Sequence, residues 1–358
     1  MCTVVPSAEE ALTSRLLQST IHALELYGIY LGKELGLYAA LKSRGPLTPV
    51  ELAHEARIDA RYAREWLEQQ AVAGLLVVEQ PAAPAVERRY GLPAEHVNVL
   101  VTEDDPAHLA PLAQMVAGIG GALEHVLAAY RRGGGVPYPL FGAAFREGQA
   151  GINRPAFSSD LVERWIPAAP DIQQRLLSSS FRVADVGCGA GWSTIALARA
   201  FPLAEVIGFD ADEASVADAR RNANGATVRF EVRDAVAIAE AGPFDLILVL
   251  EALHDMARPA DVLQSVRQAL APGGSVLVAD EKVADRFHAP GDEIERLMYG
   301  WSIVHCLPVA MSDSPSAAVG TVIRTDTVRE LAGAAGFARV DVLPVNAGFF
   351  RIYRLSPP

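Results

Sequence analysis

The sequence predicts an α/β protein with a seven-stranded, doubly wound, Rossmann-like sheet that ends in a reversed C-terminal hairpin, preceded by an α-rich winged-helix domain. From residue 181 onward, apolar runs typical of buried strands alternate with helical segments, which indicates parallel strands with helices on both faces. The last two apolar runs, ARVDVLPV and FFRIYRL, are joined by residues 346–348. They must pair antiparallel, because a parallel crossover needs about a dozen residues or more. The N-terminal part instead carries short capped helices followed by two short strands.

The length of 358 residues favours more than one domain. We expect a winged-helix and dimerisation domain over residues 1–105, a helical linker and candidate lid over 106–180, and a ligand-binding α/β domain over 181–358. No secretory pattern and no run of about 18 uncharged apolar residues is present, so we expect a cytoplasmic protein that does not enter the membrane. Three cysteines, Cys2, Cys188 and Cys306, are too few for a disulfide framework and agree with a reducing compartment.

Two helices of the N-terminal segment have clear start signals. Thr48, Pro49 and Glu51 form a capping box with proline at the first helical position. Asp59 is the expected N-cap of the next helix. That helix is predicted to bury three side chains, Tyr62, Trp66 and Leu67. The runs LLVVEQ and ERRYGL follow as two strands, so the segment is predicted to be a winged helix-turn-helix.

A winged helix-turn-helix suggests DNA binding, but the charge argues against it. Residues 1–105 hold 9 Lys and Arg against 15 Asp and Glu, and the whole chain carries a formal charge of -12. In the would-be recognition helix, Arg61 and Arg64 are offset by Glu65 and Glu68. A DNA-binding domain needs a basic surface. We therefore expect this domain to mediate dimerisation and to form one wall of a substrate pocket. The stretch TIHALELYGIYLGKELGLYAAL, read as one helix, is apolar enough to bury against a second subunit.

The stretch VADVGCGAGWSTIALARAFP, residues 183–202, runs from an apolar strand through three glycines into a helix. Gly187, Gly189 and Gly191 allow a tight turn that approaches a ligand closely. A dinucleotide fingerprint would have a glycine where Trp192 stands, and the carboxylate of Asp185 would repel a pyrophosphate. The loop therefore favours a ligand that carries positive charge.

Two further carboxylates follow neighbouring strands. Asp210 ends the second strand, 19 positions after Gly191, where it can accept hydrogen bonds from ribose hydroxyls. Asp234 follows the run FEV and can accept a hydrogen bond from an adenine amine. Together with Asp185, these residues suit a nucleoside that bears a cationic amino-acid arm.

These motifs give the chain a specific resemblance. DVGCGAG, the acid Asp210, RDA at residues 233–235, FDLILVLEALHDM and the reversed hairpin resemble a class I S-adenosylmethionine-dependent methyltransferase over residues 181–358. With its winged helix, the whole chain is similar to small-molecule O-methyltransferases, in which that domain usually mediates dimerisation and shapes the pocket. The resemblance implies a homodimeric enzyme of secondary metabolism that methylates a small, partly apolar metabolite.

The resemblance also implies a role for each cofactor residue. The methionine end of S-adenosylmethionine would contact Asp185 and the three loop glycines, Gly187, Gly189 and Gly191. Asp210 would hold the ribose, and Asp234 with Ala235 would hold the adenine.

Catalysis would need a base wherever the methyl acceptor carries a proton, because the sulfonium already supplies an activated leaving group. His254, in EALHDMARP after the fourth strand, is the expected base, with Asp280 or Glu281 orienting its imidazole. In the related O-methyltransferases a His-Asp pair at this place carries the catalytic histidine, although this chain has Met256 where an aromatic residue usually follows. The alternative role of His254 is to cap the helix that begins near Pro259.

A second interpretation assigns a metal to the same region. His254, Asp255 and His305 offer two imidazoles and a carboxylate, the ligand set of a non-haem iron centre. Such an iron would hold a 2-oxo acid and make the reaction a C-methylation.

Aromatic side chains mark two segments that could contact a substrate. We expect Tyr299, Trp301 and His305 to line the pocket, with core packing as the alternative for the first two. Four aromatic residues of the linker, predicted to lie in loops, either pack between domains or form a lid over an apolar substrate. They are Tyr138, Phe141, Phe145 and Phe157.

Two other protein classes compete with a methyltransferase. A winged-helix transcription regulator that senses the cofactor would share both domains, but the acidic N-terminal half disfavours it. A nicotinamide oxidoreductase is disfavoured by Trp192 and Asp185 in the glycine loop.

Overall fold

The structure, a computed structural model, describes residues 6–178 and 180–358, so Cys2 lies outside the described residues. The chain divides into two compact units. One contains the residues up to Gly118 together with Glu147–Ile152, and the other contains Ile119–Arg146 and Asn153–Pro358.

The first unit is helical with a small β-hairpin. Its helices are α1 (Ala8–Glu34), α2 (Leu37–Arg44), α3 (Pro49–Ala56), α4 (Ala60–Val72) and α5 (Val97–Leu100). Strands β1 (Val77–Glu79) and β2 (Arg89–Gly91) pair antiparallel after α4, which confirms the predicted wing. Helix α6 (Pro111–Arg132) begins in this unit and ends in the second.

The predicted helix starts are confirmed. The Thr48 hydroxyl accepts from the backbone N–H of Glu51, and the Glu51 carboxylate accepts from that of Thr48. The Asp59 carboxylate accepts from the N–H groups of Arg61 and Tyr62.

Two details of the helical prediction are wrong. The Tyr62 side chain is 77% exposed rather than buried. The buried residues of α4 recur at helical spacing on one face of the helix, and Tyr62 is not among them. The buried residues are Ala63, Trp66, Leu67 and Gln70. The apolar stretch over residues 20–41 is not one helix, because Gly36 adopts a left-handed conformation (φ 67°) between α1 and α2.

Helix α6 meets the length and mean hydropathy of a membrane span, and within the described part of the chain it is the one helix that does. About two fifths of that apolar window (39%) is buried inside the protein. An amphipathic core helix passes the same test, so this is weak evidence for a span.

The second unit is built on a seven-stranded sheet. Its strands are β3 (Phe181–Val186), β4 (Ala204–Asp210), β5 (Arg229–Val232), β6 (Phe244–Leu250), β7 (Leu270–Glu281), β8 (Arg339–Val342) and β9 (Phe350–Ser356). Their order is β5-β4-β3-β6-β7-β9-β8. The first five pair in parallel, whereas β9 is antiparallel to both β7 and β8. The predicted sheet and its reversed hairpin are therefore confirmed.

The helices of this unit are α7 (Gly142–Pro155, shared with the first unit), α8 (Pro170–Ser178), α9 (Trp192–Ala200), α10 (Glu213–Asn222), α11 (Pro259–Gln268), α12 (Glu293–Trp301), α13 (Leu307–Ala310) and α14 (Thr325–Ala334). They pack on both faces of the sheet, α11 and α14 on one and α8 and α9 on the other. Alternate residues of β6 enter different cores: Ile247 and Val249 pack on one face, and Leu246 and Leu248 on the other. This two-sided burial explains why FDLILVL is continuously apolar.

The linker aromatics lie in helical segments. Tyr138 and Phe141 belong to a 3₁₀ turn, Phe145 to α7, and Phe157 to a π-helical segment over Ala156–Trp165. The prediction that all four lie in loops is therefore wrong. Phe157 packs against the rings of Trp165 and Phe350 in the sheet core, with ring centroids 6.0 and 5.9 Å away.

Candidate cofactor and active site

The glycine loop connects β3 to α9 and is fixed by backbone hydrogen bonds. The N–H groups of Gly187 and Cys188 both donate to the carbonyl of Phe209, at 2.8 and 3.0 Å. Gly191 has φ 80°, and a Cβ there would lie 2.7 Å from the ring of Phe230, so only glycine fits. At Gly189 (φ 51°) the place of a Cβ is open space, which leaves a cradle beside the backbone.

Asp185 lies at the end of β3, beneath this loop. Its Oδ2 accepts hydrogen bonds from the hydroxyls of Ser193 and Thr194, at 2.5 and 2.6 Å. Its Oδ1 is buried and has no hydrogen-bond partner within the described residues. Burial raises the pKa of Asp185. A buried polar atom without a partner is uncommon, so Oδ1 is available to a cationic ligand group.

Asp210 ends β4 and faces the same loop. Its Oδ2 accepts from the N–H of Gly189 at 2.8 Å, and its Oδ1 accepts from that of Asp212 at 2.9 Å. Each carboxylate oxygen keeps acceptor capacity for a ligand hydroxyl. Burial raises the pKa of Asp210 to about 6.

Asp234 follows β5 and is exposed. Its Oδ1 accepts from the N–H of Val236 at 3.0 Å, at the start of a 3₁₀ turn whose first residue, Ala235, is half-buried. The residues predicted for the cofactor thus stand at the ends of three neighbouring strands. They include the acids Asp185, Asp210 and Asp234.

The end of α7 brings in two residues that the sequence analysis missed. The guanidinium carbon of Arg154 lies 4.4 Å above the centre of the Trp192 ring, at the start of α9. The side-chain amide of Asn153 donates to Oε2 of Glu251, 98 positions away in the sequence. No local motif marks these contacts, because helix packing creates them.

His254 is held by two carboxylates. Its Nδ1 lies 2.6 Å from Oδ1 of Asp280, and its Nε2 lies 3.3 Å from Oδ1 of Asp255. Burial disfavours the imidazolium, but the two carboxylates outweigh it, so the pKa of His254 lies well above its ordinary value. Of the two residues predicted to orient this ring, Asp280 contacts it, whereas Glu281 donates its own backbone N–H to Asp280 at 3.0 Å. The N-cap of α11 is Arg258, not His254.

Two glutamates adjoin the histidine. Burial raises the pKa of Glu251 to about 7 and raises that of Glu281 well above its ordinary value. Within the described residues, Oε2 of Glu281 has no hydrogen-bond partner. Glu251 was absent from the predicted site, since an acid that ends a strand gives no distinctive signal.

The three predicted substrate residues differ in burial and in their contacts. His305 is buried: its ring stacks on Phe145 with centroids 3.8 Å apart and meets Phe141 and Tyr138 edge-on at 4.5 and 5.8 Å. Burial lowers the pKa of His305 to about 3. Trp301 is half-buried, and Tyr299 is 38% exposed, with its hydroxyl 3.4 Å from Arg324.

The potential metal ligands also differ from the prediction. In the part of the chain that the structure describes, ligand atoms of His254, Asp255 and Cys306 lie within 4.8 Å of one another. His305 is not in this group; its Nδ1 lies 3.4 Å from Sγ of Cys306. A set of one imidazole, one carboxylate and one thiol is not the two-histidine, one-carboxylate set of a non-haem iron centre, so it does not support the iron interpretation.

Two family descriptions match the chain. Residues 177–317 match the family described as a methyltransferase domain, and residues 23–102 match the Rv2258c-like winged HTH domain.

Curated relatives are similar over part of this chain. Trans-aconitate 2-methyltransferase of Methylobacterium nodulans is 33% identical over 138 residues, which are 38% of this chain and 52% of that protein. Ubiquinone biosynthesis O-methyltransferase of Roseobacter denitrificans is 38% identical over 96 residues, 26% of this chain and 38% of that protein. The chain thus spans about half the length of these relatives or less.

Solved structures are similar over almost the whole chain. Mitomycin 7-O-methyltransferase MmcR has a TM-score of 0.69 at 18% identity, covering 98% of this chain and 99% of that one. Human N-acetylserotonin methyltransferase in complex with SAM has a TM-score of 0.67 at 19% identity, covering 99% of each. At this identity the likeness establishes the fold.

Proposed function

We propose that this chain, which joins a methyltransferase domain to a winged helix-turn-helix domain, is an S-adenosylmethionine-dependent methyltransferase that acts on a small, partly apolar molecule. One observation carries the proposal: the glycine loop, with acids at the ends of three neighbouring strands, packs against Ala252, two residues before a histidine that is hydrogen-bonded to a carboxylate. Bound S-adenosylmethionine supplies a methyl group on a positively charged sulfur.

The residues present fit this cofactor. The unpartnered Oδ1 of Asp185 suits an ammonium, and the two oxygens of Asp210 suit a pair of ribose hydroxyls. Asp234 would accept from the adenine amine, with Ala235 against the ring. Arg154, fixed on Trp192 beside the loop, would pair with the carboxylate of the amino-acid arm.

His254 is the proposed general base. Asp280 accepts the proton on Nδ1, which leaves the lone pair of Nε2 to take a proton from the acceptor. After that transfer, Asp255 and Asp280 stabilise the imidazolium from its two sides. The acceptor's hydroxyl or amine thereby becomes a better nucleophile for the methyl group.

The rings around His305 support an apolar acceptor. His305 is neutral near pH 7, because burial lowers its pKa to about 3, and it adds no charge to the cluster with Tyr138, Phe141 and Phe145. Tyr138 also interacts electrostatically with Asp210 and Asp255, which links the cluster to the ribose acid and to the residue after the catalytic histidine. We propose that this aromatic cluster closes over the acceptor.

A second copy of this chain is the proposed partner. Helix α1 exposes a run of large apolar side chains, which a solvated surface would not favour. They are Leu12, Leu16, Leu17, Ile21, Leu24, Tyr27 and Leu31. Pairing of this surface with its own copy in a homodimer would bury them.

The charges of the winged helix support a role other than DNA binding. Arg61 pairs with Glu65 on α4, and Arg88 of the wing pairs with Glu68. Acids thus already neutralise the cations that a phosphate backbone would need. Cys188 and Cys306 are both free, in agreement with the cytoplasmic location that we propose.

Calorimetric titration of S-adenosylmethionine into the purified protein, with metal analysis of the same sample, tests this function. Saturable binding without stoichiometric metal is the expected result. Binding that requires stoichiometric iron would replace the His254 base with a metal-assisted C-methylation, and no binding at all would contradict the proposal.

A further inference from the structure

Glu251 and Glu281 have no part in the proton transfer described above, yet both interact electrostatically with His254. Glu251 follows β6, and Glu281 ends the adjacent parallel strand β7. Leu250 of β6 pairs with Ala279 of β7, and the N–H of Glu251 donates to the carbonyl of Ala279 at 2.7 Å. The charge of Glu251 raises the pKa of Glu281.

The pair includes a buried oxygen without a partner. Glu281 is 4% exposed, and its Oε2 accepts no hydrogen bond from any described residue. The buried Nε2 of His305, whose ring interacts electrostatically with His254, also has no described partner. Unsatisfied polar atoms of this kind indicate a place that a polar or charged ligand fills.

Glu251 and Glu281 are connected to both the cofactor loop and the base. A Cβ built on Gly187 would lie 2.7 Å from that of Ala252, the residue that follows Glu251. Glu281 follows Asp280, the residue that holds His254, and donates its backbone N–H to the Asp280 carboxylate. In an in-line transfer the methyl group must lie between the donor sulfur and the acceptor atom, so the sulfur belongs to the site that the loop and His254 share.

The surroundings of the pair are negative. The groups that act on it are Asn153 of α7, His254 and Asp255 after β6, and Asp280 of β7. Burial raises the pKa of both glutamates, and the charge of Glu251 raises that of Glu281 further, so an approaching cation would favour their ionised forms. S-adenosylmethionine carries a positive sulfur, whereas its product, S-adenosylhomocysteine, does not.

We propose that Glu251 and Glu281 form the counter-ion site for the sulfonium and make the enzyme bind S-adenosylmethionine more tightly than S-adenosylhomocysteine. This inference rests on the proposed function. Its consequence is preferential exchange of spent cofactor for fresh cofactor, because the attraction disappears once the methyl group has left.

Calorimetric dissociation constants for three ligands test the inference: S-adenosylmethionine, S-adenosylhomocysteine, and sinefungin, in which an amine-bearing carbon replaces the sulfonium. We expect Glu281→Gln to weaken binding of the two cationic ligands by about tenfold and to leave S-adenosylhomocysteine unchanged. Glu251→Gln should act in the same way. Glu240→Gln, at a solvent-exposed glutamate of the same unit, is the control.

Unchanged S-adenosylhomocysteine affinity also shows that a variant is folded; if Glu281→Gln does not fold, Glu251→Gln decides. Equal losses for all three ligands, or no loss for any, would overturn the inference. If the unmodified protein binds neither cofactor form, the proposed function itself fails. If it binds both and the glutamate variants keep the same ratio, only the counter-ion site fails.

Discussion

Nδ1 of His254 and Oδ1 of Asp280 lie 2.6 Å apart, in a direct and buried hydrogen bond. Because this bond fixes the ring and its tautomer, we expect Asp280→Asn to lower kcat by about 100-fold, within the range of about 10² to 10⁴ for general base catalysis. His254→Ala should lower it at least as much. Turnover with an acceptor found by screening, using radiolabelled S-adenosylmethionine, measures the effect. S-adenosylhomocysteine affinity should stay within about twofold, and unchanged turnover would remove His254 from the role of base.

The pH dependence of turnover follows from the same contacts. Catalysis requires neutral His254, and the carboxylates hold its pKa well above the ordinary value. Hence kcat/KM should rise as pH increases through a pKa above 6.5, the ordinary value. In Asp280→Asn the rise of kcat/KM should shift to lower pH, because the carboxylate charge that raises the pKa of His254 has been removed. A rise at the same pH in the variant would contradict the assignment.

Cofactor affinity should have its own pH dependence. Asp210 accepts ribose hydroxyls best as a carboxylate, and its pKa is raised to about 6. The affinity for S-adenosylhomocysteine should therefore fall as pH decreases through about 6. Asp210→Ala should bind weakly at every pH and lose this transition, as calorimetry from pH 5 to 8 would show. Wild-type affinity in the variant would exclude the ribose contact.

Arg154 should recognise the carboxylate of the amino-acid arm. Arg154→Gln should weaken S-adenosylhomocysteine binding by about tenfold or more, as expected for loss of a hydrogen bond to a charged group. Binding of decarboxylated S-adenosylmethionine, which lacks that carboxylate, should not change. Arg164→Gln, at an exposed arginine paired with Asp160, is the matched control. Equal losses for both ligands would indicate a structural role for Arg154.

The exposed face of α1 should hold the dimer together. Leu16→Glu combined with Leu24→Glu places two charges among its apolar side chains, and we expect a monomer by sedimentation velocity. Leu203→Glu, at a leucine of similar exposure (56%) in the second unit, should leave the dimer intact. A monomeric unmodified protein, or a dimer that survives both substitutions, would contradict the proposal.

The sheet and the glycine loop could be predicted because their signals are local. Continuous apolar runs indicated strands that are buried on both faces. The three glycines of the loop, Gly187, Gly189 and Gly191, all have positive φ. The exposure of Tyr62 could not be predicted as easily, since a shift of one residue in the helical stripe decides it.

The active site was only partly predictable for a different reason. Its predicted acids and His254 lie at or shortly after the ends of strands, so their positions could be inferred from the sheet. Arg154 reaches Trp192, and Cys306 reaches His254, only through the packing of distant helices. Contacts between residues far apart in the chain leave no periodic or spaced pattern in the sequence.

The position of β9 has a consequence for biosynthesis. Among the strands of this sheet β9 comes last in the chain, yet it lies inside the sheet, between β7 and β8. Both neighbours must therefore remain without a hydrogen-bonding partner on that side until residues 350–356 have left the ribosome. The nascent chain thus presents open strand edges from the synthesis of β7 and β8 until that of β9, and such exposed edges are prone to aggregate.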